Sequence, residues 1–322
     1  MEYSDIITGD RVISLCDFVI ITEQISHFHI NVGDFINPQN VLFFKDFKNI
    51  SSNSINKLNS YFENFATNNN KKQIKLFVYT HLLEEFVEYV VDILDKRYEY
   101  IIYLHNSDHH FNDCNSKLLE AKHITKVFSQ NINLSDLHPK LNFLPIGIAN
   151  SMWEHGNIHA LHETITRTSS LEKIKNLYVN INPNTFPYRK DVLGAIKKSN
   201  SYLVASEAKP FAEYLNDLSE YRFCLCVRGN GVDTHRFWES LYLGVIPVII
   251  NNKHTNTQNY IQYLNLLDIP FFEITEDSLD VITQKYTNNF FNENLYCHLL
   301  EKLGKPIYSL DALKISHYSN PK

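Results

Sequence analysis

Tyr221-Arg-Phe-Cys-Leu-Cys-Val-Arg228-Gly-Asn-Gly-Val-Asp233-Thr-His-Arg236-Phe-Trp-Glu239-Ser-Leu-Tyr-Leu-Gly244-Val-Ile-Pro247-Val-Ile-Ile250 reads as a whole strand–helix–strand unit. An apolar run alternating into cysteines runs into Gly229-Asn230-Gly231, a loop that can take positive φ and lets backbone N–H groups approach a ligand. Asp233 or Thr234 then caps a helix. Gly244 stands just past the helix end, and Pro247 opens the next strand without removing an essential donor.

Working outward, short β-branched or aromatic runs alternate with stretches of helical period, which predicts parallel sheets covered by helices. The first half offers strands at Val12–Ile21, Val41–Phe44, Ile74–Tyr79, Tyr100–Leu104 and Lys126–Phe128. Its clearest helix is His81 to Leu94, with Leu82, Phe86, Tyr89, Val90 and Ile93 on one face. The second half restarts the alternation with strands at Asn176–Ile181, Tyr202–Ala205, Arg222–Val227 and Val245–Ile250. Its helices are expected at Tyr188–Lys197, Pro210–Leu218, Asp233–Leu243, Leu279–Tyr286 and Phe291–Leu303. A chain of 322 residues suits two such domains. We expect an α/β protein with two Rossmann-like domains facing a central cleft: residues 1–150, residues 151–305, and a tail 306–322 packing back on the first domain.

Composition excludes several classes. A formal charge of −6 and a pI near 6.2 argue against a nucleic-acid partner, which needs a broad basic surface. Five cysteines without framework spacing read as thiols of a reducing compartment. Val12–Ile21 is interrupted by Ser14, Cys16 and Asp17 and follows acidic residues, so the expectation is no transmembrane segment and a cytoplasmic protein, with peripheral contact at a membrane as the alternative.

A helix N-terminus behind a glycine turn is a ready anion site, because its first N–H groups lack internal partners and its dipole favours negative charge. Arg228 and Arg236 add fork donors suited to a diphosphate, and Glu239 could accept from two ribose hydroxyls. The bland alternative is a surface Arg236–Glu239 pair and a solvated Arg228. Asn182, at the end of the first second-half strand, and Arg189 at a helix start add further donor-side candidates.

This block resembles the nucleotide-sugar signature of the exostosin-like glycosyltransferases, which have the two-domain architecture called GT-B. The matching residues are the Tyr221–Cys226 strand, Arg228-Gly229, Thr234, Arg236, Glu239, Gly244 and Ile246-Pro247-Val248. Two other stretches are similar to bacterial and viral members: His105-Asn106-Ser107-Asp108, and Pro145-Ile146-Gly147-Ile148-Ala149-Asn150-Ser151-Met152-Trp153. The resemblance implies a glycosyltransferase moving a sugar from a nucleotide-sugar donor, a UDP-sugar favoured, to a hydroxyl acceptor such as a surface glycan. It implies Arg228, Gly229, Asn230, Gly231, Thr234, His235, Arg236 and Glu239 at the donor. It also implies no cofactor and independence from metal, since protein cations and a helix dipole take the metal's place in GT-B enzymes. The chain has no Asp-x-Asp pair in a loop after a strand.

For the general base of an inverting transfer the candidates are Asp108 and His109, after the strand Tyr100–Leu104, although the same loop reads as plain turn residues. Acceptor-side candidates are His27, His105, Asn150 and Trp153. His27-Phe28-His29 also fits an edge strand, and Trp153 a core residue. Rival functions are a fucosyltransferase-like enzyme using a GDP-sugar and a non-catalytic nucleotide- or glycan-binding subunit of a polysaccharide assembly. A dinucleotide fold lacks its third glycine here.

Overall fold

The computed structural model describes residues 1–28, 32–199 and 209–319. The chain divides into two compact units: Gly9–Pro145, and Met1–Thr8 together with Ile146–Lys322. Each is α/β with a parallel sheet, as the alternation of runs predicts.

In the Gly9–Pro145 unit a helical turn, α1 (Gly9–Ile13), leads into β1 (Phe18–Thr22). The expected strand Val12–Ile21 therefore starts later, because Ser14 and Leu15 close the turn onto Arg11 and Val12. The sheet continues with β2 (Val41–Phe44), α2 (Ser52–Asn69), β3 (Gln73–Tyr79), β4 (Glu99–His105), β5 (Ile124–Ser129) and β6 (Leu141–Phe143). Its order is β2-β1-β3-β4-β5-β6, parallel throughout. Sequence patterning missed α2, which runs from the Ser51 cap to Asn70 in the left-handed region. Its polar surface hides a narrow stripe of Leu58, Phe62 and Ala66, with Phe62 edge-on to Phe18 and Tyr100.

The expected helix His81–Leu94 is a 3-10 turn, a short α turn, a π turn over Phe86–Val90 and a second 3-10 turn. The buried residues explain this. Leu82, Phe86 and Val90, and Leu83, Val87 and Val91, recur every fourth position. An ideal helix would carry such a stripe about 40° round per turn, and a widened π turn returns it to the core.

The second unit begins its regular elements with α3 (Ile158–Thr168), β7 (Lys175–Tyr178) and α4 (Pro187–Ser199). There follow α5 (Phe211–Ser219), β8 (Tyr221–Leu225), α6 (His235–Tyr242) and β9 (Ile246–Ile250). The chain then runs through α7 (Gln258–Leu266), β10 (Phe272–Ile274), α8 (Leu279–Lys285) and α9 (Glu293–Leu303). The sheet order is β10-β9-β8-β7, again parallel. The strand expected at Tyr202–Ala205 lies outside the described residues. α3, α7 and β10 were not expected, and α3 replaces the irregular Asn150–Ser170 segment.

The unit boundary falls at Ile146, and both chain ends belong to the second unit. Ile6 bridges Lys314 and Thr8 bridges Ile148. The tail expected on the first domain is thus part of the unit built by the second half, where the Tyr242 hydroxyl donates to Leu313 O and accepts from Ile7 N–H. Gly147 lies against Ile7 with φ +64°, and a Cβ there would sit 2.2 Å from Ile7 O. Among the described residues no helix is long and apolar enough to cross a membrane.

Candidate functional site

β8 is buried over its whole length and delivers Cys226, Val227 and Arg228 to the carboxyl edge of the second sheet. The chain turns through Gly229–Gly231 without positive φ, unlike Gly147, Gly244 and Gly304. The turn is closed instead by Gly229 N–H donating to Gly231 O at 3.1 Å. The room left by the missing Gly229 side chain is filled from outside: a Cβ there would lie 3.3 Å from Arg189 Nη2 and 3.5 Å from Thr185 Oγ1.

Arg189, in the first turn of α4, donates from Nε to Arg228 O at 2.8 Å and from Nη2 to Val227 O at 2.6 Å. Its Nη1 reaches Thr185 Oγ1 at 2.7 Å and Asn182 O at 3.3 Å. Arg189 thus links the Asn182 carbonyl to the Arg228 loop, and much of its fork is spent on bracing that loop. Burial, with the Arg236 charge nearby, pulls its pKa down to about 10. Arg228 is half-buried, its guanidinium 4.6 Å from the Phe186 ring and donating to Thr255 O and Asn230 O at 3.0 Å each. Burial lowers its pKa too.

α6 starts at Thr234, whose side chain makes no capping bond. The Asp233 carboxylate does a different job from the expected cap. It accepts from Ile146 N–H at 2.7 Å, Trp238 Nε1–H at 2.6 Å and the Tyr260 hydroxyl at 2.9 Å. Burial raises its pKa to about 7 against those hydrogen bonds. His235, the first residue of α6, has Nδ1 2.9 Å from Gly147 O; a carbonyl only accepts, so Nδ1 carries a proton.

One turn further on, Arg236 and Glu239 do not form a direct surface pair. Arg236 donates to Asn180 O and, from Nε at 3.3 Å, to the Tyr214 hydroxyl, which itself donates to Glu239 Oε2 at 2.7 Å. Glu239 is only 4% exposed, and burial raises its pKa although Tyr214 and Arg236 oppose that. Sequence reading missed Tyr214; its position on α5 carries no local signal, and only the fold brings it to α6.

Asn150 and Trp153 belong to the same unit, in the turn after Ile148. Trp153 N–H donates to Asn150 O, and the indole is 51% exposed, so it is no core residue.

In the Gly9–Pro145 unit, register pairs Tyr79 with His105 at the carboxyl edge of β3 and β4. His105 is buried, its Nε2 donating to Pro145 O at 3.0 Å and its Nδ1 accepting Asn106 N–H at 2.8 Å. Both ring nitrogens are occupied inside the unit, which makes His105 a brace there. Asp108 and His109 are exposed, His109 with its ring 4.9 Å from His81. A residue overlooked in the sequence stands closer to the strand ends. Asp10 is 8% exposed, accepts Asn106 Nδ2–H at 3.1 Å, and has its pKa raised by burial to about 6. Its place on α1 was hidden by reading Val12–Ile21 as one strand. His27 lies in the 3-10 segment Glu23–Phe28 rather than an edge strand; its side chain and His29 are outside the described residues. Among the described residues no three His, Cys, Asp or Glu side chains are grouped to hold a metal ion.

No protein-family model matches this chain, and neither does any curated protein. Among solved structures it is similar to Arabidopsis thaliana UGT89C1 complexed with UDP-L-rhamnose, at 13% identity and a TM-score of 0.42. That similarity spans 94% of this chain and 92% of the other. At such identity and TM-score it assigns neither a donor nor a reaction to this chain.

Proposed function

We propose that the protein is a glycosyltransferase whose second unit binds a nucleotide sugar through its diphosphate. The observation that carries this reading is the grouping of Arg189, Arg228 and Arg236 around the loop between β8 and the uncapped start of α6. Arg189 and Arg236 are close enough for one charge to depress the pKa of the other, and Glu239, a carboxylate beside them, reaches Arg236 only through the Tyr214 hydroxyl. Gathering like charges costs energy unless an anion offsets them, and a diphosphate supplies two adjacent negative groups for two or three guanidinium forks.

In this reading the diphosphate lies across the first N–H groups of α6, and Arg228 and Arg236 neutralise the charge that grows on the leaving phosphate as the sugar departs. Those cations do what a divalent ion does in other transferases, so turnover is proposed to be metal-independent. Glu239 takes the ribose hydroxyls in exchange for the Tyr214 hydroxyl, which moves aside. A UDP-sugar is the favoured donor and a glycan hydroxyl the acceptor.

The test is thermal stabilisation by UDP, GDP, CMP and TDP, with wild type compared to R228A and R236K. A ligand that binds only the folded state raises stability by mass action. Stabilisation by one diphosphate that R228A weakens at least about tenfold, the scale of one lost charged hydrogen bond, supports the reading. Failure of all four to stabilise the wild type refutes it.

A further inference from the structure

On the donor reading just given, we infer that the turn Asn150–Gly156 and His235 form the subsite for the sugar of the nucleotide sugar. Sequence position alone had put Trp153 and Asn150 on the acceptor side.

The turn is built to hold an indole in the open. Trp153 is 51% exposed and its neighbour Met152 41%, whereas Trp238 is fully buried. Leaving that much aromatic surface in water forgoes burial energy, and with Met152 beside it the indole makes an exposed apolar patch. Nor is it loose chain. Trp153 N–H donates to Asn150 O at 3.0 Å and Gly156 N–H donates to Trp153 O at 2.9 Å. At Gly156 a Cβ would fall 1.9 Å from Asn150 O and 2.9 Å from Ala149 O, so only glycine lets the turn close this tightly.

Beside the indole the imidazoles follow in a row. The His155 ring lies 6.3 Å from Trp153 and within 24° of parallel, and 6.2 Å from the His235 ring at the head of α6. His155 sits in the field of Arg236 and Glu154; burial and Arg236 lower its pKa, against Glu154, which keeps it neutral at pH 7. His235 donates from Nδ1 to Gly147 O, which fixes its ring at the head of α6. An aromatic face edged by imidazoles matches a pyranose, whose C–H face stacks on a ring while its hydroxyls exchange hydrogen bonds at the rim.

The place in the fold selects the sugar over the nucleobase. His155 stands by the first turn of α6, where the terminal phosphate would be held, and Trp153 lies beyond His155. The sugar is bonded directly to that phosphate, while the base is separated from it by the other phosphate and the ribose.

The experiment is calorimetric titration of the full chain with UDP, UDP-glucose, GDP and GDP-mannose, for wild type, W153A, W153F and H155A. An exposed tryptophan can be removed without unfolding the protein, which the melting temperature checks. The expected result is that W153A leaves the bare diphosphate Kd within twofold and weakens the matching sugar nucleotide about fivefold to tenfold, the worth of one ring stack. W153F, which keeps a ring, recovers most of the loss, and H155A loses about as much as W153A. If W153A and H155A leave the ratio of sugar-nucleotide to diphosphate Kd unchanged, the subsite is elsewhere even though the donor reading stands. A wild type that binds neither diphosphate overturns both.

Discussion

Removing the Asp233 carboxylate should unpin the start of α6 from the segment at Ile146, and its size can be worked out. Asp233 is 3% exposed, and its acceptor bonds include those from the Ile146 N–H, the Trp238 indole N–H and the Tyr260 hydroxyl. In D233A those three lose their partner together. At about 1 kcal/mol each, the low end for a buried unsatisfied group, the loss is about 3 kcal/mol. D233N keeps the shape and one acceptor oxygen but turns an amide N–H towards a donor, for about 1–2 kcal/mol.

The pH dependence gives an independent check. Burial takes the Asp233 pKa from 3.8 unfolded to about 7 folded. Below pH 3.8 both states hold the proton. Between there and about 7 the native state keeps a proton the unfolded chain releases, so this group's contribution falls as pH rises and is flat above. A shift of that size is worth at most about 4 kcal/mol at 1.36 kcal/mol per unit, and about 2 after relaxation of the site. Urea unfolding followed by tryptophan fluorescence at about pH 5 and about pH 7.5 measures it, with D233N compared to wild type at each pH. Wild type should lose about 2 kcal/mol relative to D233N between the two pH values, so that the gap closes or reverses by pH 7.5. Parallel pH curves for the two proteins, or a D233A cost under about 1 kcal/mol, would refute the reasoning.

Other outcomes follow from single contacts. G147A places a Cβ 2.2 Å from Ile7 O on a φ of +64° and should cost about 3 kcal/mol or more, read as a lower urea midpoint. With a thiol reagent the folded protein should release colour from Cys114 and Cys297 at once, and from buried Cys16, Cys224 and Cys226 only on unfolding; a fast third thiol would count against this packing. D10N should flatten the part of the stability curve between pH 3.8 and about 6, where the buried Asp10 loses stability as pH rises, by about 1–2 kcal/mol in the same urea assay.

β8, α6, β9 and the loop before α6 were readable because the information is local: an apolar strand, a glycine turn and arginines at fixed spacing lie within Tyr221–Ile250. Even the limits of β2 agree with the sequence pattern. α2 was not readable, since only Leu58, Phe62 and Ala66 of its eighteen residues are buried and asparagines blur the period. His81–Leu94 showed the opposite failure, a strong stripe whose four-residue repeat distorts the helix that carries it. At the site, arginine identities were legible but their partners were not. Tyr214 reaches Glu239 from 25 positions away and Asp233 reaches Ile146 across 87, distances at which one sequence holds no pairing signal.

The first eight residues sit in the unit otherwise made of Ile146–Lys322, with Ile6 beside Lys314. On a ribosome, Gly9–Pro145 is finished long before that partner exists. At about 5–20 residues per second the opening segment waits on the order of half a minute for the tail to emerge, its apolar Ile6 and Ile7 uncovered. The second unit therefore completes only after Lys314 has been made, and a bulky group placed before Ile6 should slow its maturation.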